Sequence, residues 1–277
     1  MLAPARQMRH TLAVILYLYA IARRDHALPP PVEAIDGSDA VIRLEEDELA
    51  AFCTAVDEDA FSQETIDARS KDLEWLGAIG YRHQSVMAAL MRGGTIIPLR
   101  AFSLFRSEES VREHLRSQRK ELAALLTRLE GKQEWTMRIE FDPEKWNASL
   151  VHRVDTLRVL AGDIESSTAG KAFLLQKKLE EQKKRVSREA EESMVAEIEQ
   201  TILTKLDCLV VSESRQARSG AFPQINVLVE RDEEAQLEEL RDTLTAQYSE
   251  DGVSVALTGP WPPYTFASME PDALRDR

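Results

Sequence analysis

The chain has 277 residues, 43% hydrophobic and 30% charged, an ordinary globular composition whose length argues for two domains. Its 35 Lys and Arg against 48 Asp and Glu leave a formal net charge of −13. Such a field disfavours nucleic acid and anionic membrane surfaces as partners, since both repel it.

The first stretch imitates a secretory leader: basic MLAPARQMRH, apolar LAVILYLYAI, then Ala20-Ile21-Ala22 in the form of a cleavage site. The apolar run is about ten residues, and a helix needs about 20 to span a bilayer. It is also partly β-branched and aromatic, so a buried central strand ending at Arg23-Arg24 is the preferred reading. HALPPPVEAIDGSD reads as a loop, and VIRLEEDELAAFCTAVDEDAF as one or two short strands around the acidic run Glu45 to Glu48.

A helix is expected from Gln63 to Met91, with Ile66, Leu73, Leu76, Gly80, His83, Met87 and Leu90 on one face. Gly77 and Gly80 each cost about 1 kcal/mol relative to alanine inside a helix, which suggests close approach to a sheet beneath. His83 on the apolar stripe reads as a satisfied core histidine. Gly93-Gly94 ends the helix, and TIIPLRAFSLF forms an inner strand or pair marked by Pro98. Ser107 caps a further helix with Val111, Leu115, Leu122, Leu126 and Leu129 buried, stopped by Gly131. In QEWTMRIEF, Trp135, Met137, Ile139 and Phe141 alternate with polar residues, a strand with one wet face. This first half therefore predicts an antiparallel sheet backed by two helices on one face.

Asp142-Pro143 opens a helix lined by Trp146, Leu150, Val154, Leu157 and Ala161. A very long helix follows from Ala169 to about Leu206, basic in its first half and acidic in its second, with a thin, irregular apolar seam that keeps coiled-coil self-association open. Strand CLVVSES, loop RQARSG, strand QINVLVE, helix Glu233 to Tyr248 and strand VSVAL complete a second α+β unit. The chain ends on LTGPWPPYTF and a charged tail. Pro260 and Pro263 satisfy PxxP. The interleaved Trp261, Tyr264 and Phe266 instead favour a strap packed across its own second domain, so that Trp261→Ala should lower thermal stability before it affects partner binding. The fold class is thus α+β: two modified ferredoxin-like domains, antiparallel sheets backed by helices, with a long helix in the second and a Pro/aromatic tail. The expected divisions are 1–142, 143–258 and 259–277.

Catalytic and binding signatures are sparse. Cys53 and Cys208 lie in apolar runs without a CxxC partner, so they read as buried small hydrophobes in a reducing compartment. GDIESSTAGKA lacks the first glycine of a phosphate loop, since Glu165 stands there, and carries Ala172 in place of the hydroxyl residue. His10, His26, His83, His114 and His152 have no ligand spacing. Asn147-Ala148-Ser149 is a glycosylation sequon by letter alone. No catalytic, cofactor-binding or metal residue is assigned, no cofactor is expected, and the partner-binding residues stay open.

Several stretches together resemble one family, the gas vesicle accessory proteins of the GvpL/GvpF type. They are YLYAI, then DLEWLGAIGYRHQSVMAALMRGGTIIPLRAFSLFRSEESVREHL, LTRLEGKQEWTMRI, AGKAFLLQKKLEE and the closing GPWPPY. The family commonly carries Arg-Phe-Gly-Thr after the Pro-Leu pair, where this chain reads Arg100-Ala101-Phe102-Ser103, so a glycine turn is replaced. Gly77 sits where a charged residue is common. The resemblance implies two ferredoxin-like domains and a non-enzymatic role in gas vesicle assembly, cytoplasmic and at the gas vesicle. It implies binding of the very hydrophobic main shell subunit and of other accessory proteins, as chaperone or nucleator. Exposed strand edges or the first-domain sheet are the contact surfaces it leaves open. The alternatives are a minor component stably incorporated in the shell and, on fold grounds alone, a small-molecule enzyme on a ferredoxin-like scaffold.

Overall fold

The computed structural model describes residues 14–213 and 222–267. Contacts divide them into two units, one comprising 14–131 with 262–267, the other 132–213 with 222–261. The expected loop RQARSG, the basic N-terminal decapeptide and the charged end lie outside the described residues.

Unit 1 is built on β1 (Val14–Arg23), β2 (Ile42–Glu46) and β3 (Leu49–Asp57). Helices α1 (Gln63–Arg69) and α2 (Leu73–Gly93) follow, then the short strands β4 (Ile97–Pro98) and β5 (Leu104–Phe105) and helices α3 (Glu108–Ser117) and α4 (Arg119–Leu129). The antiparallel order is β2-β3-β1-β4, with β5 also on β1. The leader-like run is therefore the central strand. Ile15 to Ala22 are all buried, so both faces of β1 are covered and its apolar residues run continuously instead of alternating. Tyr17 and Tyr19 cluster with Ile79, Val86, Met87 and Leu90 of α2, while α4 packs on the same strand and α3 on β2 and β3. The helix expected over 63–91 is broken, because Asp72 accepts hydrogen bonds from the Glu74 and Trp75 amides and starts α2 afresh.

Unit 2 opens with β6 (Lys132–Phe141), then α5 (Pro143–Arg153), α6 (Asp155–Glu165), α7 (Ala169–Lys205), β7 (Leu209–Glu213), β8 (Gln224–Glu230), α8 (Glu234–Tyr248) and β9 (Val253–Trp261). Its sheet order is β7-β8-β6-β9, antiparallel throughout. The alternating strand over 134–141 thus pairs with β8 and β9 and not with the first sheet, and the units divide at Gly131/Lys132 where the sequence suggested 142. Trp135, Met137 and Ile139 of β6 pack with Trp146, Ile198, Val227, Leu244 and Val255. A last short helix, α9 (Tyr264–Ala267), returns to unit 1.

Gly252 turns the chain into β9 at φ +76°, and a Cβ there would stand 2.4 Å from the Lys145 Cβ and 3.1 Å from the Trp146 nitrogen. Gly252→Ala is expected to cost about 2 kcal/mol, read as a fall in urea midpoint; an unchanged midpoint would contradict the close approach.

Candidate functional site

The densest set of polar groups in the core of unit 1 surrounds His83. The Tyr17 hydroxyl stands 2.9 Å from His83 Nδ1 and the Tyr264 hydroxyl 2.8 Å from Nε2. A neutral imidazole has one N–H and one lone pair, so one tyrosine accepts and the other donates. Burial holds the His83 pKa down at about 4, with the Leu99 backbone pulling weakly the other way. Burial likewise pushes Tyr264 up to about 12 and Tyr17 well above its ordinary value. A second relay runs beside it: the Ile35 amide donates to the Tyr19 hydroxyl (2.9 Å), which donates to Thr54 Oγ1 (3.1 Å), which donates to the Ala40 carbonyl (3.0 Å). Every polar atom named here has a partner, so the cluster is a structural core and His83 its satisfied histidine.

The C-terminal segment completes that core. At Gly259, φ is +143° and a Cβ would lie 2.8 Å from the Trp135 ring, so only glycine fits against β6. The Gly259–Pro260 peptide is cis. Trp261 closes β9 opposite Glu134, 41% exposed, its indole N–H 3.3 Å from Thr258 Oγ1. Beyond it Tyr264 reaches His83, Phe266 is fully buried, and Arg128 donates to the Phe266 carbonyl. The strap expected on the second domain therefore packs from Tyr264 onward on the first, and Phe266, not Trp261, is its anchor.

Phe102, in the turn between β4 and β5, holds φ +66°. That backbone costs a non-glycine residue about 1–2 kcal/mol. The ring recovers stability by stacking on Trp75 (centroids 5.8 Å apart, planes at 21°) and meeting Tyr17 edge-on.

The remaining sequence candidates are dispersed. His26 sits beside the Leu90 carbonyl, Nε2 at 3.1 Å, and His114 beside Phe105. Burial pushes the Cys53 and Cys208 thiols up to about 12 and about 11, an environment for inert and not nucleophilic sulfur. Ser166 and Ser167, in the stretch that falls short of a phosphate loop, donate back to the Gly162 and Asp163 carbonyls and cap α6. Among the described residues no three His, Cys, Asp or Glu gather at metal-binding distance, and no helix is long and apolar enough to cross a membrane.

The surfaces of unit 1 are selective. Arg112 donates to the Glu45 carbonyl on the edge strand β2, while Arg24 and Arg43 pair with Glu45 and Arg116 with Glu46. Charges of this kind discourage strand addition. The opposite edge is short, contains Pro98 and is contacted by α9. The first-domain sheet and these edges are thus largely closed. What lies open is the outer side of α2, with Leu73 83% and Tyr81 71% exposed. A Cβ added at Gly77 or Gly80 would meet nothing within 4 Å, so both glycines face outward and do not approach the sheet.

This arrangement has solved counterparts. The fold superposes on the crystal structure of gas vesicle protein GvpF from Anabaena sp. PCC7120 at TM-score 0.64 and 17% identity, covering 93% of this chain and 97% of that one. GvpF from Microcystis aeruginosa gives 0.61 and 16%, covering 92% and 99%. By sequence the chain is 26% identical over 266 residues to gas vesicle protein L of Streptomyces sp. (strain CB03234), 94% of this chain and 95% of that protein. Gas vesicle protein L1 of Halobacterium salinarum is 27% identical over 212 residues, 72% and 73% of the two chains. The family model described as gas vesicle synthesis protein GvpL/GvpF matches residues 15–268, nearly the whole described chain. On that match the chain belongs to the GvpL/GvpF family of gas vesicle synthesis proteins.

Proposed function

We propose that this protein is a non-enzymatic accessory factor of gas vesicle assembly, acting in the cytoplasm as chaperone or nucleator for the hydrophobic main shell subunit and contacting other accessory proteins. The observation that carries this reading is the family match across residues 15–268. The physical need is clear: a subunit destined for a gas-facing wall exposes aggregation-prone apolar surface until it is incorporated. A partner serving it must stay soluble while offering apolar contact. The net charge of −13 and the guarded β2 edge suit the first requirement. The outward Leu73 and Tyr81 of α2 suit the second.

Co-expression with the main shell subunit, followed by affinity capture and sizing chromatography, tests the reading. A soluble complex that holds the shell subunit out of the pellet is expected. If the shell subunit sediments to the same extent with and without this protein, and none is captured, the proposal fails.

A further inference from the structure

Helix α7 carries, on its outer side, a stripe in steps of four and three residues: Leu174, Lys178, Glu181, Arg185, Arg188, then Glu192, Ala196, Glu199 and Leu203. At 100° per residue these positions share one face, and all are exposed except the half-buried Glu199. The residues that anchor α7 in its own unit, Leu179, Met194, Ile198 and Ile202, lie off this stripe. Two of the stripe's apolar members stand at its ends, Leu174 at 67% and Leu203 at 43% exposed. Its cations fall in the first half and most of its anions in the second.

That order has a two-fold complement. Laid antiparallel on itself about a point between Arg188 and Glu189, the stripe sets Leu174 opposite Leu203, Lys178 opposite Glu199, Glu181 opposite Ala196 and Arg185 opposite Glu192. Arg188 and Glu189, on either side of the two-fold, each lie nearest their own copy, and Arg188 is already paired within its chain by Glu192. Away from the axis no like charges face each other, and each contact occurs twice by symmetry. A parallel pairing would instead stack cation on cation and anion on anion. From the charge order, the terminal leucines and the heptad-like spacing, we infer that α7 is a self-recognition surface whose occupant is α7 of a second copy of this chain, packed antiparallel at the shallow crossing angle of coiled coils. Within one chain Glu192 already pairs with Arg188 at 3.0 Å. In the dimer it lies between that arginine and Arg185 of the second copy. The seam is mostly ionic and therefore weak, so the association is reversible and sensitive to salt.

Sedimentation equilibrium of the full chain tests this. At about 50 mM salt, where screening is modest, the average mass should climb from the 31.3 kDa monomer toward twice that value as concentration rises. At about 1 M salt it should fall back. Arg185→Glu alone and Glu192→Lys alone should each weaken the dimer about tenfold or more, two repulsions replacing two attractions. The double variant Arg185→Glu/Glu192→Lys should restore it, because the swapped charges again meet their opposites. Both positions are exposed, so unchanged melting curves separate loss of pairing from loss of fold. A monomer at every concentration overturns the inference, as does a dimer indifferent to the single reversals or one that the double variant fails to restore.

Discussion

Phe266→Ala should remove about 3–5 kcal/mol of stability, the range for emptying a buried phenylalanine site. Phe266 is fully buried, α9 packs on β4 and α4, and its carbonyl takes a hydrogen bond from Arg128. Trp261→Ala, at a side chain 41% exposed, should cost well under half of that despite deleting a larger ring. Urea denaturation of the two variants makes the comparison. Hydrogen exchange then locates the effect, which belongs in 14–131 and 262–267 and not in the β6–β9 sheet. Equal losses from the two substitutions, or faster exchange confined to residues 132–261, would show that the strap is anchored elsewhere.

Acidification is expected to weaken the fold through His83. Its folded pKa is about 4 against an ordinary 6.5, so between those values the unfolded chain takes up a proton that the folded one refuses. Stability is therefore unaffected by this residue above pH 6.5, declines as pH falls from 6.5 to about 4, and levels off below. The gap corresponds to about 3 kcal/mol. Burial lowers His26 and His114 in the same direction, so they add to the slope. His83→Gln isolates the contribution, since a carboxamide can still donate and accept between Tyr17 and Tyr264. Melts of both proteins from pH 7.5 to 4.5 should converge on acidification as the parent loses more than the variant. Parallel profiles would mean that His83 titrates normally.

Both expectations rest on Tyr264 and Phe266 meeting α2 and α4, a contact the sequence could not specify. Local pattern served well where the cause was local. The continuous apolar run of β1 and the alternation of β6 each reported how many faces are buried, and Ser107 and Asp142 marked helix starts through side-chain caps that the structure contains. Choice of partner is a long-range property. The alternation of β6 fixes its inward face but says nothing of whether Ala20 or Val227 lies beside it, so proximity in sequence points to the wrong sheet. The same limit misplaces the strap. Gly77 and Gly80 mislead in another way: a missing side chain reads alike whether a neighbour crowds it or solvent faces it. The left-handed backbone of Phe102 was not legible in its own side chain, since a phenylalanine gives no sign of a positive φ. On α7, exposure in the folded unit was needed to tell the outward stripe from the buried seam.

The return of the chain to unit 1 also bears on synthesis. The core around β1 is sealed by a residue at 266, so translation of the intervening unit comes first, and the site around His83 waits for residues 262–267. Until those residues leave the ribosome, the His83 imidazole is one partner short. Maturation of the first unit is in this way tied to synthesis of the second, and a product terminated before Tyr264 carries an unfinished first unit as its mark.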